Sequence, residues 1–348
     1  MISLKDVHEA RQRIQHTVIP TPLLKSEQLS NICGNQLYLK SEHLQKTGSF
    51  KIRGASNMVI HAIENGAQHV TTASSGNHGQ AVAYVANKYG VPATIVVPEN
   101  VSTCKMNAIL GYNGKVEMCG TTSSERLPRA QKIADQENGI YIPPYDDPFI
   151  MAGQGTIALE ILAELDNIDA IIVPIGGGGL ISGILTAIKE TNPKIKVIGV
   201  EPAIANDTYL SMQQRKITAI PSTHTIADGL RTNQPGDLTF PILMHYLDDL
   251  VLVSEDEIRS AFSFVLERTK QLIEPSSATT IAAAMFNKFN MQGKNIVSII
   301  SEYQWRSQAY YRKRCSSCYA RKDYFRQLYR EYEQDGFRSE LLLKTRPV

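Results

Sequence analysis

Four consecutive glycines, Gly176-Gly177-Gly178-Gly179, stand between the apolar run Ile171-Ile172-Val173-Pro174-Ile175 and a second run, Leu180-Ile181-Ser182-Gly183-Ile184-Leu185. The first run reads as a buried strand and the second as the start of a helix. The turn between them carries no side chains. It leaves backbone N–H groups bare at the positive end of a helix dipole, a setting that suits a phosphate. Neither G-x-G-x-x-G nor G-x-x-x-x-G-K-[ST] is present, so the usual dinucleotide and nucleotide loops fit poorly. A flexible turn is the alternative reading of the same four residues.

Around this point, short β-rich runs alternate with helical patterns. Strands are expected at 37–41, 70–73, 93–97, 115–119, 170–174, 197–200, 250–253 and 296–300. Helices are expected at 52–65, 78–89, 125–137, 154–165, 255–272 and 277–289. The alternation predicts an α/β fold with parallel sheets covered by helices on both faces. Ser254 and Glu257 form a capping box, and Gly90 is placed to end its helix as a C′ residue, with Pro92 two residues later. The Pro143–Pro148 segment is the best candidate for a crossing between two domains. Ligands of open parallel sheets bind beyond the carboxyl ends of strands, and residues 74–79 and 176–179 both occupy such places.

At 348 residues the chain can bury a substantial core, and its length suggests about two domains. The net charge of +2 is unevenly spread: residues 302–348 carry 11 Lys/Arg against 6 Asp/Glu, leaving the main body slightly acidic. That body has no nucleic-acid character. No secretory signal or membrane span is expected, since the start is charged and the longest apolar stretch is broken by Pro174 and the glycines. Five scattered cysteines suggest reduced thiols and a cytoplasmic setting. Cys315 and Cys318 lack the second ligand pair that a structural zinc site would want.

Lys51 lies just inside an expected helix start, after Thr47-Gly48-Ser49-Phe50. A positive helix end and apolar neighbours both favour the neutral amine needed for bonding to a carbonyl. Ser49-Phe50-Lys51-Ile52-Arg53-Gly54, then Ser74-Ser75-Gly76-Asn77-His78-Gly79-Gln80, then Gly176–Gly179, closely resemble three signatures of fold-type II pyridoxal-phosphate enzymes. The resemblance is closest to the threonine/serine dehydratase and serine racemase family, with its tryptophan synthase β-like fold. It covers roughly residues 5–301, and Gly153–Thr156 and Ile273-Glu274-Pro275 also share it.

The resemblance implies a large cofactor-binding domain from residues 1–72 and 147–301, a small domain from 73–146, and a cleft between them. It implies that Lys51 bonds the cofactor and later removes the substrate Cα proton. Gly176, Gly177, Gly178 and Gly179 would bind the phosphate, Asn77 the ring hydroxyl and Ser301 the pyridine nitrogen, with Phe50 packed near the ring. Ser74, Gly76 and His78 would receive the substrate carboxylate. Ser75 stands where racemase-like members carry a proton donor opposite the lysine; a helix cap is its alternative role. Glu201, Ala205 and Asp207 resemble a divalent-cation loop suited to Mg2+ or Ca2+, with a helix N-terminus capped by Asn206 as the alternative. Lys46, Thr47 and Gln80 are suitable for bound ATP, an activator of some racemases. The implied reaction converts L-threonine, L-serine or a related β-hydroxy amino acid to a 2-oxo acid and ammonia, with serine racemase or threo-3-hydroxyaspartate ammonia-lyase as alternatives. A homodimer is implied too.

The resemblance stops after Ser301. The family continues Gly-Gly-Asn, whereas this chain reads Glu302-Tyr303-Gln304-Trp305 and becomes basic and aromatic, with Arg312-Lys313-Arg314. So abrupt a change has the look of a frameshifted or substituted terminus. A solvated appendage or an RNA- or acid-binding tail are its readings, and an inactivated scaffold with a binding role is the alternative to an enzyme.

Overall fold

The computed structural model describes residues 1–101 and 103–303. In chain order the elements are α1 (Leu4–Ile14), β1 (Leu23–Lys25), α2 (Glu27–Cys33), β2 (Gln36–Ser41), α3 (Lys51–Glu64), β3 (Val70–Thr72), α4 (Asn77–Lys88), β4 (Ala93–Val97), α5 (Thr103–Gly111) and β5 (Lys115–Met118). They continue with α6 (Ser123–Gln136), β6 (Ile140–Tyr141), α7 (Pro148–Glu164), β7 (Ala170–Pro174), α8 (Gly179–Thr191), β8 (Lys196–Pro202), α9 (Asp207–Gln214), α10 (Thr239–Tyr246), β9 (Asp249–Val253), α11 (Glu255–Phe264), α12 (Pro275–Met285) and β10 (Asn295–Ile300).

Two sheets result. The larger has the order β1-β2-β10-β7-β8-β9, and the smaller β5-β4-β3-β6. Every pairing is parallel except that of β1 with β2. The run at β7 is apolar throughout because it is buried on both faces. Ile171 and Val173 enter one core cluster, while Ala170 and Ile172 enter the other. Val297 and Ile299 of β10 join the first, Ile296 and Ile300 the second. Each such isoleucine contributes roughly 1.5–3 kcal/mol by leaving water. The smaller sheet is packed by Ile52, Val59, Val82, Val85, Ile95 and Ile109.

Several helix ends follow the sequence. Ser254 and Glu257 exchange both capping-box hydrogen bonds. Gly90 has φ +72°, with its N–H bonded to Asn87 O and that of Val91 to Ala86 O, a complete Schellman ending. Other expectations are corrected. Helix α7 begins at Pro148 rather than 154, because Asp147 caps it and Pro148 suits the first turn. The helix expected over 255–272 is α-helical only to Phe264, then widens into a π-turn at Val265–Thr269. The antiparallel edge strand β1 and the two-residue β6 were not foreseen, being too short to show a period. Strand β3 pairs with β4 and β6, so the smaller sheet starts ahead of residue 73, where the small domain was expected to begin.

The tail expected from 302 onward also starts later. Glu302 pairs with Ser49, and Tyr303 with Ile273. Arg312–Arg314, Cys315 and Cys318 lie outside the described residues. No helix among the described residues is long and apolar enough to cross a membrane.

Candidate active site

Lys51 opens helix α3. Its backbone N–H donates to Ser49 Oγ at 3.2 Å, and its amine donates to Pro144 O at 2.9 Å. The amine lies 5.1 Å from the centre of the Phe50 ring. Burial pushes its pKa down, opposed by the negative charge of Glu302. Arg53, two residues on, is fully buried and bonds Glu42 and Glu160, each at 2.7 Å. This network ties α3 to α7 and fixes the direction in which Lys51 leaves its helix. Breaking one partner of such a buried pair typically costs about 3–5 kcal/mol.

Pro144 connects the lysine to the glycines. Its neighbour Tyr145 packs so closely that a Cβ at Gly177 would strike the ring, and one at Gly179 would come within 2.8 Å of Tyr145 O. Gly178 has φ +93°, a conformation that side chains resist. The Gly177 carbonyl accepts from Thr239 Oγ1 at 2.8 Å. Among the described residues, the N–H groups of Gly176–Gly179 have no hydrogen-bond acceptor. They stand at the N-terminus of α8, between a buried strand and a buried helix. The flexible-turn reading is thereby displaced: this is a packed cradle with free donors, suited to an anion.

Helix α4 brings the second motif. Its N-cap is Gly76, with no side chain capping it, so the helix-cap role expected as an alternative for Ser75 is not what the structure has. Ser74 Oγ accepts from Gly76 N–H at 3.4 Å. His78 is buried, and its Nε2 pairs with Ile142 O at 3.1 Å. Burial and then the charge of Lys51 lower its pKa to about 3, so the ring is neutral. Asn77 Nδ2 donates to Glu274 Oε1 at 3.3 Å.

Ser301 follows β10 and shares a 3.0 Å hydrogen bond with Ser277 Oγ. Glu302 N–H donates to Ser277 Oγ at 2.8 Å. Gly229 closes the circuit: a Cβ there would lie 2.6 Å from Glu302 Oε2, and Gly229 O stands 3.3 Å from a Cβ built at Gly176. Lys51, the glycine cradle, Asn77 and Ser301 are therefore linked through Pro144–Tyr145, Gly229, Glu274 and Glu302.

Glu201 and Asp207 are both fully buried, at the end of β8 and the start of α9. Glu201 accepts from the N–H groups of Thr208 at 3.0 Å and Tyr209 at 2.8 Å. It does the capping that was an alternative role for Asn206, whose side chain caps nothing. Burial first, then the charge of Asp207, raises the Glu201 pKa to about 8; burial raises that of Asp207 to about 7. The Ala205 carbonyl accepts no hydrogen bond among the described residues. Two buried acids without a cationic partner and a free carbonyl fit a hard divalent cation.

Tyr145, Gly229 and Thr239 escaped sequence reasoning. Glu274 was noticed only as part of a resembling segment.

Residues 14–302 match the family described as pyridoxal-phosphate dependent enzyme. The chain is 40% identical over 302 residues to an L-threonine ammonia-lyase of Thermotoga maritima, covering 86% of this chain and 75% of that protein. It is 44% identical over 291 residues to a serine racemase of Dictyostelium discoideum, covering 83% and 90% of the two chains. The crystal structure of serine racemase from Dictyostelium discoideum superposes with a TM-score of 0.82 at 43% identity, covering 87% of this chain and 98% of that one. A match of this extent agrees with the lysine, serine-asparagine and glycine motifs that these contacts link, and the chain belongs to the pyridoxal-phosphate dependent enzymes of fold type II.

Proposed function

We propose that the chain is an ammonia-lyase that converts L-threonine, L-serine or a related β-hydroxy amino acid to a 2-oxo acid and ammonia. The observation that carries this reading is the half-buried Lys51, its amine's pKa lowered by desolvation, joined through Pro144 and Tyr145 to four glycines whose N–H groups are free. Pyridoxal phosphate, when bound, supplies an electron sink for the pair left at the substrate Cα. The residues present fit it. Lys51 would hold it covalently, the N–H groups of Gly176–Gly179 would take its phosphate, and Phe50 would pack beside its ring. Asn77 would serve the ring hydroxyl, and the Ser301 hydroxyl the ring nitrogen.

The substrate carboxylate is received at Ser74, Gly76 and His78. Because His78 is neutral, the carboxylate is held by N–H donors rather than by a charge on that ring. The Lys51 Nζ, its pKa lowered by burial, takes the Cα proton. The β-hydroxyl leaves as water, and water returns to release ammonia. Substrates bearing a β-carboxylate, such as threo-3-hydroxyaspartate, remain alternatives within the same chemistry.

Racemisation is the second reading, favoured by Ser75. This hydroxyl is half-buried, caps no helix and has no hydrogen-bond partner among the described residues. It is thereby free to give or take a proton on the face opposite Lys51. We assign Mg2+ or Ca2+ to Glu201, Asp207 and the Ala205 carbonyl. Bound ATP is supported by Thr47, whose buried Oγ1 lacks a partner, beside exposed Lys46 and half-buried Gln80. The free thiols of Cys33 and Cys119 support a reducing compartment, the cytoplasm, and a homodimer follows the implied family pattern.

The test is the absorbance of purified protein with added pyridoxal phosphate, together with ammonia release from L-threonine and L-serine. A borohydride-reducible band and ammonia are expected, and both should vanish in Lys51→Ala. Absence of the band sinks the reading. A band without ammonia supports the inactivated scaffold instead, and restoring activity by replacing residues 302–348 with a Gly-Gly-Asn terminus would locate the defect.

A further inference from the structure

Asp146 follows Tyr145 in the chain, and its half-buried carboxylate reaches residues 91 to 93 positions further on. Its Oδ2 accepts from Asp237 N–H at 3.0 Å, and its Oδ1 accepts from the N–H groups of Leu238 at 2.9 Å and Thr239 at 3.2 Å. These N–H groups lead into α10, and the first turn of a helix cannot satisfy its own donors. The N-cap residue Leu238 has no side chain that could do so. A carboxylate there also complements the helix dipole. It lies so close to Gly236 that a Cβ at that position would strike Oδ1.

The turn that Asp146 fastens in turn fastens the glycines. Gly177 O accepts from Thr239 Oγ1 at 2.8 Å and from Gly236 N–H at 3.2 Å. The peptide between Gly177 and Gly178 is trans, so its C=O and its N–H point in opposite directions. Holding Gly177 O toward α10 therefore aims the Gly178 N–H away from α10, where it meets no acceptor among the described residues. Gly178, at φ +93°, lacks a side chain that would set this plane locally. The setting comes from outside the loop.

We propose that Asp146 is a positioning residue for the glycine cradle: through the start of α10 and the Gly177 carbonyl it aims the Gly178 N–H, and so sets the preference for a phosphorylated aldehyde over the same aldehyde without phosphate. The proposal rests on the reading of Gly176–Gly179 as the phosphate site. The neighbours of Asp146 extend the same strap. Pro144 O accepts from the Lys51 amine, the Tyr145 ring lies against Gly177, and Asp147 caps α7 through the N–H groups of Phe149 and Ile150. Four consecutive residues thus join the lysine, the cradle and two helix starts.

The experiment is equilibrium dialysis of the full-length, cofactor-free protein against pyridoxal phosphate and, separately, against pyridoxal. The two probes differ only in the phosphate, so damage at the lysine or ring end weakens both alike. In Asp146→Ala, affinity for pyridoxal phosphate should fall by about 10–100-fold, as for one misdirected charge-assisted N–H, while pyridoxal is held as in wild type. Asp146→Asn should fall between, since its remaining oxygen can still accept from Leu238 and Thr239. Thr239→Val should repeat the selective loss, and Thr239→Ser, which keeps the hydroxyl, should retain the wild-type preference. Combining Asp146→Ala with Thr239→Val should add little to the larger single loss, because both act on one carbonyl. An undiminished preference in folded Asp146→Ala overturns the proposal, as does an equal loss of both aldehydes, the mark of a helix cap that only stabilises the fold. Should Asp146→Ala fail to fold, Asp146→Asn replaces it, and an undiminished preference there overturns the idea. A wild type that holds both aldehydes equally defeats the cradle reading and the latch together, whereas a wild type that prefers pyridoxal phosphate beside an equally selective Asp146→Ala defeats the latch alone.

Discussion

Strands β7 and β10 are neighbours in the six-stranded sheet, yet their carboxyl ends are built from different material. Beyond β7, Gly176–Gly179 present backbone alone, with N–H groups that do not titrate. Beyond β10, Ser301 and Glu302 present side chains: Ser301 shares a hydrogen bond with Ser277, and the Glu302 carboxylate accepts from Ser49. The first end offers an anion site insensitive to pH. The second ties its properties to where a proton resides.

The sharpest test of side chain against backbone is Ser75, on the loop after β3. Ser75→Ala should lower the interconversion of L- and D-serine by about 10²–10⁴-fold, as expected for loss of one acid–base group, and spare elimination from L-serine. Chiral chromatography of serine beside an ammonia assay reads both. An equal decline of the two reactions would make Ser75 a residue that shapes its loop, and the proton-donor reading would fail.

A smaller effect should appear in the glycine cradle. In Gly177→Ala the new methyl group meets the Tyr145 ring. Displacing even one charge-assisted N–H donor should weaken retention of pyridoxal phosphate by about 10–100-fold, the equivalent of 1.5–3 kcal/mol. Equilibrium dialysis at several pH values checks it. The loss should be the same at each pH, and a loss confined to one end of the range would break the contrast between the two strand ends.

The smallest effect concerns Glu201 and Asp207, another place built from acidic side chains. Their pKa values, raised to about 8 and about 7, mean that the folded state keeps protons that the unfolded state has released above about pH 4. Native binding of more protons makes stability fall as pH rises through that window. In EDTA the melting temperature should therefore drop between about pH 5 and pH 8, by about 2–4 °C for each kcal/mol lost. Mg2+ or Ca2+ should reduce the drop, and Asp207→Asn should flatten it. A pH-independent melting temperature that ignores both cations would remove the cation from this loop.

The parallel sheets, the helix start at Lys51 and the glycine turn were legible because each leaves a local mark. A β-branched run buried on both faces is apolar throughout, and a side-chain-free turn must be glycine. The capping box at Ser254 and the Schellman ending at Gly90 were legible for the same reason. The start of α7 was missed because Asp147 and Pro148 sit in a proline-rich stretch that reads equally as a loop. The reach of β3 into the smaller sheet was missed because three residues carry no sign of which partner they choose.

By itself, then, the sequence determined the alternation of elements, the motifs and the point at which the family pattern ends. Only the tertiary structure decided what those motifs touch. Tyr145 covers the glycines, Glu201 takes the helix end that Asn206 was placed to cap, and Glu302 turns inward opposite Ser49. The physical reason is range. Propensity and capping act over a few neighbouring residues and are written in the local sequence. Burial, charge pairing and shared protons depend on groups brought together from positions as distant as 49 and 302, and they exist only once the chain has closed on itself.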